Sequence, residues 1–552
     1  MKKGVKLTLA VYLLLSGQVA LAASPIPTFD KEAVTTHPYN RTGQQEIIST
    51  DNLPDIKTKD VYQPGNTGTE EEPAFFVKEI KLTGFEIPDK DGELSEILAK
   101  YSNRSVKVDE LTQLTQEITE YCRTCGYTIP QAVYPEQEVK DGVLEVKIYV
   151  AKYDKVEIVK NDSEVADRVL EKYIDYLKPG DTIVDKKIEI ALNNLNDLPG
   201  VEARAVFVPG SVPETTRVDI EVNERPVWNN YVFTDNGGGY YSGRYRYGFN
   251  TEWNNPGHQG DKFVFNGMLT SHDLKNYGIR YEAPVGSRGT RAGIAFSQTD
   301  YELHTNDFYN SLGRSKGISL YGMTPIYRDR SNRVTAIYGY DRREIENEYR
   351  FNFSSQLQLK QEKTANVWHA GISGSQYNPN QFTQYDLIYW FGDMDTEDGS
   401  SYIDGEYHKL TGDWLNIWYD NKFNYRINFH GQLANRALDG SEQFYLGGMN
   451  GVRAYGSSEG YGDSGFLATA EVRCKTDIEG LEVAAFLDWG GASDKASDRW
   501  THLAGWGLGL RYSKPNDWYA QLDWSRKIDA QRDLVEPDDH NGRVWFQLYK
   551  MF

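Results

Sequence analysis

Cysteine, long apolar runs and positive charge are all scarce in this 552-residue chain, and each scarcity removes a class of protein. Three cysteines (Cys122, Cys125 and Cys474) are too few for a disulfide framework. The Cys122-x-x-Cys125 spacing suits a redox pair or half a zinc site. A zinc site needs two more ligands nearby, and a redox pair usually opens a helix, whereas this one ends a helical pattern. A local bridge or two incidental thiols are the alternatives left. Lys and Arg number 60 against 80 Asp and Glu, a formal net charge of −20, which argues against nucleic acid as a partner. There is no His-Glu-x-x-His, EF-hand loop, Gly-x-Ser-x-Gly elbow or nucleotide loop. No metal, cofactor or catalytic residue is therefore expected. Beyond the first 22 residues no run of 18 apolar residues occurs, so the rest of the chain cannot cross a membrane as helices. The remaining way to span one is a closed barrel, which also pairs every backbone group.

Aromatic residues and glycine are plentiful: 38 Tyr, 12 Trp and 50 Gly. That load suits many twisted strands. A mean hydropathy of −0.62 would suggest a soluble protein. Barrel strands, however, alternate lipid-facing apolar residues with lumen-facing polar ones, so their average stays low.

The chain divides by pattern. Residues 1–22 read as a secretory signal: Lys2, Lys3 and Lys6, an apolar core Leu7–Leu15, and a cleavage site at Ala20-Leu21-Ala22. Residues 23–72 are a polar linker and a candidate plug segment. Residues 73–151 read as a small α+β module, with a strand at Phe76–Gly84, a helix at Val108–Cys122 and strands at Tyr127–Tyr134 and Val143–Val150. Residues 152–224 repeat that order, with helices at Val165–Leu177 and Ile183–Leu198 and paired strands at Val201–Val208 and Arg217–Val222.

Residues 225–552 change period. Segments of about ten residues alternate at period two between Gly, Asn, Asp and Ser clusters, and the length accommodates about 16 antiparallel strands of a membrane barrel. Tyr241–Phe249 is expected to place Tyr241, Tyr245, Tyr247 and Phe249 on the lipid and Arg244 and Arg246 in the lumen. Gly505, Gly507 and Gly509 look like a phosphate loop, but no helix follows. Period-two glycines on a strand read instead as close backbone approach inside a barrel. The chain ends on Phe552 behind Val544, Phe546 and Leu548. A terminal aromatic strand serves as an assembly signal for the outer-membrane barrel-assembly machinery, although Lys550 stands where an apolar residue is usual.

The order of signal, linker, two modules and barrel resembles the outer-membrane transporters of two-partner secretion, the TpsB group that includes the haemolysin secretion/activation proteins. The modules resemble POTRA domains, through Gly126-Tyr127-Thr128, Ala132-Val133-Tyr134-Pro135 and Asp141-Gly142-Val143-Leu144, then Leu195–Val201. Asp235-Asn236, Gly243-Arg244-Tyr245, Asn255-Pro256 and Gly260-Asp261 resemble the start of the barrel. Leu446–Tyr455 is similar to the family's long inward-folded loop, whose tip is Val-Arg-Gly-Tyr or Phe. Here the tip is Gly451-Val452-Arg453-Ala454-Tyr455, with alanine for the glycine. The family's wall motif, Phe-x-Asp-x-Gly, is matched by Phe486, Asp488 and Gly490. The resemblance therefore pairs Arg453 with Asp488. Arginine cannot give up its proton, so the pair reads as a gating latch and not as an acid or base.

What the resemblance implies is a non-enzymatic transporter of one large secreted partner protein, with modules in the periplasm and a barrel in outer-membrane lipid; a monomer is the default expectation. It secretes the partner and, in haemolysin relatives, also activates it. The unfolded cargo would add a strand to an exposed module edge, with Arg204, Val206 and Val208 as docking candidates. A barrel-assembly insertase shares these parts but usually carries more modules. A passive porin would have none, and an enzyme built into the loops has no motif behind it.

Overall fold

The computed structural model describes residues 56–58, 75–139, 141–303, 309–329, 331–351, 358–397, 402–528 and 540–552. The expected signal and nearly all of the linker lie outside the described residues.

The first module packs the helices Glu93–Tyr101 and Val108–Thr124 on a three-stranded sheet of Glu79–Gly84, Val143–Val150 and Pro130–Val133. The apolar positions anticipated on the second helix form its buried face, from Leu114 and Ile118 to Tyr121 and Cys122. Its N-terminus is closed by Glu110, which accepts from the Lys107 N–H at 2.8 Å. The segment read as one strand from Phe76 is two. Phe75–Val77 pairs with Arg104–Val106, and Glu79–Gly84 runs parallel to Val143–Val150. Cys122 and Cys125 are both free thiols.

The second module has helices Asp167–Ile174 and Asp185–Asn196 over the strands Lys152–Asn161, Val201–Pro209 and Thr215–Glu224. Its core is continuous, from Tyr153 through Leu170, Ile188 and Leu192 to Phe207 and Val222. A fourth strand completes its sheet. Ile56–Thr58, from the linker, runs parallel to Val201–Pro209 in the register Ile56↔Ala205, Lys57↔Val206, Thr58↔Phe207.

From Trp228 to Met551, sixteen antiparallel strands close into a barrel, the first pairing with the last through Tyr231↔Met551 to Asp235↔Gln547. Alternation sorts the side chains. On the strand Leu481–Asp494, Leu487 and Trp489 are 50% and 54% exposed on the outer face, whereas Ala484, Phe486 and Asp488 are buried on the inner one. The early barrel differs from expectation at one point. Its second strand begins only at Arg246, so Tyr245, Tyr247 and Phe249 face outward as anticipated. Tyr241 instead turns inward, against Leu274, Tyr301 and Leu303.

The second module rests on the barrel's short turns. The Ala166 N–H donates to the His258 carbonyl at 3.1 Å, and Arg328 and Arg333 both reach Asp197 at the helix exit of the module.

Candidate functional site

Between the barrel strands Phe423–Ala434 and Ser464–Lys475, the intervening residues fold into the lumen. Glycine makes this fold possible. Gly448 has φ +111°, a conformation that L side chains rarely adopt, and a Cβ on Gly451 would stand 2.2 Å from the Leu446 carbonyl oxygen. The tip is knotted by short backbone bonds: Val452 N–H to Leu446 O, Tyr455 N–H to Val452 O and Gly448 N–H to Tyr455 O. Val452, Ala454 and Tyr455 are fully buried with Phe444, Leu446 and Leu503.

Arg453 is the polar centre of this tip, and it sits in a cage. Its Nε and Nη2 donate to Asp488 Oδ2 and Oδ1 at 2.9 and 2.8 Å, a bidentate pairing that a planar guanidinium suits. Its backbone N–H also donates to Asp488, at 3.1 Å. Nη1 donates to Glu471 at 3.0 Å and to Asp523 at 3.1 Å. The guanidinium carbon lies 3.2 Å from the centre of the Phe486 ring, a cation–π contact. The Arg453 carbonyl accepts from Ser525 Oγ at 2.5 Å and Trp545 Nε1 at 2.6 Å. Tip and wall are thus fastened through side chain and backbone together.

The cage balances its own charge. Arg511 donates to Asp523 and Glu471, and Arg473 donates to the other oxygen of Glu471. Three guanidinium groups face three carboxylates, all of them buried. This neutrality matters because a charge left alone in such a place is heavily penalised.

The period-two glycines explain how the loop fits. Gly505, Gly507 and Gly509 point inward from the strand Arg499–Lys514. A Cβ on Gly505 would stand 2.6 Å from the Ala454 Cβ, one on Gly507 would stand 2.3 Å from the Phe486 ring, and one on Gly509 would stand 2.1 Å from Asp523. They make the floor on which the tip rests.

Of the residues singled out from sequence, the tip and Phe486–Asp488–Gly490 come together here. A Cβ on Gly490 would stand 3.0 Å from Leu446 at the loop's root. Glu471, Asp523, Arg473, Arg511, Ser525 and Trp545 were not anticipated. Each sits at an inward position of its strand, a parity that sequence shows but whose meeting point it does not. Arg204, Val206 and Val208 lie elsewhere, on the half-buried face of the second module's edge strand, and Arg204 is paired with Glu221 at 2.7 Å. That edge is taken by Ile56–Thr58. Phe552 is 68% exposed and exchanges backbone hydrogen bonds with Asn230 at the seam. Lys550 pairs with Asp517, in the turn before the strand Trp518–Lys527, and lies over Trp518, which accounts for a cation at that place.

A POTRA module ahead of a closed barrel with an inward-docked loop defines a class, the POTRA-barrel proteins of the outer membrane. Residues 75–150 match the ShlB-type POTRA domain, and residues 214–512 match the family described as haemolysin secretion/activation protein ShlB/FhaC/HecB. The chain belongs to that family of two-partner secretion transporters, which places its barrel in the outer membrane and its POTRA region in the periplasm. It is 25% identical over 518 residues to the heme/hemopexin transporter protein HuxB of Haemophilus influenzae (strain 86-028NP), covering 87% of this chain and 89% of the relative. It is 23% identical over 474 residues to the outer membrane transporter CdiB of Dickeya dadantii (strain 3937), covering 81% and 82%. Among solved structures, CdiB from Escherichia coli aligns with a TM-score of 0.70 at 18% identity, over 89% of this chain and 93% of that one. BamA from Haemophilus ducreyi, lacking its POTRA domains 1–3, aligns at 0.53 and 15% identity over 87% and 100%. Both show the fold.

Proposed function

We propose that this chain recognises one unfolded, exported partner protein in the periplasm and passes it through its barrel, with the Arg453 loop as the gate. The supporting observation is the caged arginine. A loop tip fastened inside the lumen by side chain, backbone and packing is more elaborate than a passive pore needs, and every fastening is reversible. When the tip leaves, the wall charges can be taken up by water.

The partner enters by strand addition at Val201–Pro209, which demands little of its sequence because main-chain groups make the bonds. Arg204, Val206 and Val208 face it there. Since Ile56–Thr58 holds this edge, the partner has to displace it. Folding of the partner outside supplies the direction, and no catalytic step is part of the reading. Activation of the partner during passage belongs to the same proposal. So do insertion by the barrel-assembly machinery through the strand ending at Phe552, action as a monomer, and the boundaries of signal, linker, second POTRA module and barrel at 22, 72, 151 and 224.

The test is to look for a large exported protein encoded beside this chain and to co-express the two. Loss of this chain should strand that one protein in the periplasm. A broad fall in many barrel proteins would favour an insertase instead. Activity of the secreted partner, compared with partner retained by Arg453→Ala, reads out activation.

A further inference from the structure

Arg453 is not the only buried charge that ties the loop to the wall. Near the loop's root, Asp439 and Glu442 point at a second set of wall residues, on other strands. Lys363, on the strand Gln358–Asn378, pairs with Asp439 at 2.7 Å, and both side chains are 9% exposed. Lys409, on Gly405–Tyr419, pairs with Glu442 at 2.6 Å. Arg343, on Asn332–Phe351, reaches the other Glu442 oxygen at 2.8 Å. Gln432 donates to the Glu442 carbonyl at 2.9 Å.

The polarity of this set is the reverse of the tip's. At the tip the loop brings the cation and the wall brings Asp488, Glu471 and Asp523. At the root the loop brings two carboxylates and the wall brings three cations. In barrel order, the three root cations lie before the strand Phe423–Ala434 and the three tip carboxylates after it. Together they run from Asn332–Phe351 to Trp518–Lys527, more than half of the circumference.

From this arrangement we infer that Asp439 and Glu442 are positioning residues for the gate, forming a second latch of opposite sign that sets where the Arg453 tip lands. Opposite polarity fixes the orientation. A loop docked the wrong way round would set carboxylate on carboxylate and cation on cation, and like charges at close range repel strongly. It also couples the two ends. Freeing either end loosens the plug, because each latch holds the loop in the place where the other can close. Mutation of the root should therefore unseat the tip, although no root residue touches Arg453.

This inference rests on the gate reading, and its experiment needs no partner protein. The full chain is placed in planar lipid bilayers, and channel opening is recorded in potassium chloride. Asp439 is the clean probe, because its ion pair is one-to-one. Asp439→Lys and Lys363→Asp should each raise the open probability at least ten-fold, while heat-modifiable mobility on gels stays that of a folded barrel. Combining them restores the pair with reversed sign and should return the quiet state. The Ser441 N–H that donates to Asp439 at 3.0 Å loses its acceptor in the single Asp439→Lys and in the double chain alike, so the comparison isolates the ion pair. Quiet single variants would overturn the inference, as would a double variant as open as the singles. Arg453→Ala is the control. If it opens the channel while Asp439→Lys does not, the root latch fails and the gate stands. If neither opens it, the gate reading itself falls.

Discussion

Arg453 meets three carboxylates where sequence pairing named one, and this alters what its mutation should do. Arg453→Ala leaves Asp488, Glu471 and Asp523 short of a cation, and breaking a buried pair in this way typically costs about 3–5 kcal/mol. The tip should then detach and secretion of the partner should fall, while the barrel still inserts; wild-type secretion by that variant would refute a latch. Exchanging the pair, as Arg453→Asp with Asp488→Arg, is attractive on a two-residue picture. In the cage the carboxylate introduced at the tip would stand beside Glu471 and Asp523, so the exchange should not restore secretion. Arg453→Lys keeps the charge but loses the fork, and should score between wild type and alanine. Gly505→Val tests the floor independently. It leaves every charge in place but its side chain would occupy the space of Ala454, so it should reproduce the alanine phenotype in a secretion assay.

At the scale of elements, the strand Ile56–Thr58 makes a prediction of its own. Cysteines at Lys57 and Val206, opposite one another in the register, should form a cross-link in a chain whose native cysteines are replaced by alanine. If the partner docks on that edge, oxidation should block secretion and reduction should restore it within the same sample. Equal secretion in both states would move the docking site elsewhere. The first module offers a check on its packing. Burial among apolar neighbours pushes the Cys122 thiol from its ordinary 9.0 up to about 12, with the nearby Cys125 adding to the effect. A raised value in the folded state means that the neutral thiol stabilises the fold. That contribution is complete below pH 9 and is lost as pH rises from there toward 12. At about pH 8, below the ordinary thiol value, iodoacetamide should leave Cys122 unmodified in the native protein and alkylate it once denaturant is added, as read by peptide mass. Equal rates in both states would refute the packing.

Across the whole molecule, the second module is fixed to the barrel by Asp197, which takes both Arg328 and Arg333. Arg328 is nearly buried there, so Asp197→Ala leaves a desolvated cation unpaired at the joint. The expected outcome is a module that swings and a partner that is bound but poorly delivered. Pull-down of the partner should persist while secretion drops; loss of neither would mean that the joint does not guide transfer.

Much of this was legible in the sequence, because periodicity is a local property. Period two with aromatics and glycine pointed to a barrel of about sixteen strands, and helical spacing at Leu114, Ile118 and Tyr121 to the module helix. The Gly451–Tyr455 tip and the Phe486–Asp488–Gly490 wall were readable as motifs. Parity also told which side chains face inward. What parity cannot tell is which inward residues meet, since that depends on strand register, barrel shear and the path of a loop crossing the lumen. Glu471 and Asp523 are separated by 52 positions in the chain and share one guanidinium only because the barrel closes. No sequence motif marks Asp439 and Glu442; the fold singles them out by placing Lys363, Lys409 and Arg343 opposite them. The edge read as open in the second module is covered by a strand from the linker, a pairing made by backbone groups that leave no trace in side-chain pattern. Local chemistry determined the parts, and only tertiary closure decided their partners, because buried charges and free strand edges are satisfied by whatever the fold brings within reach.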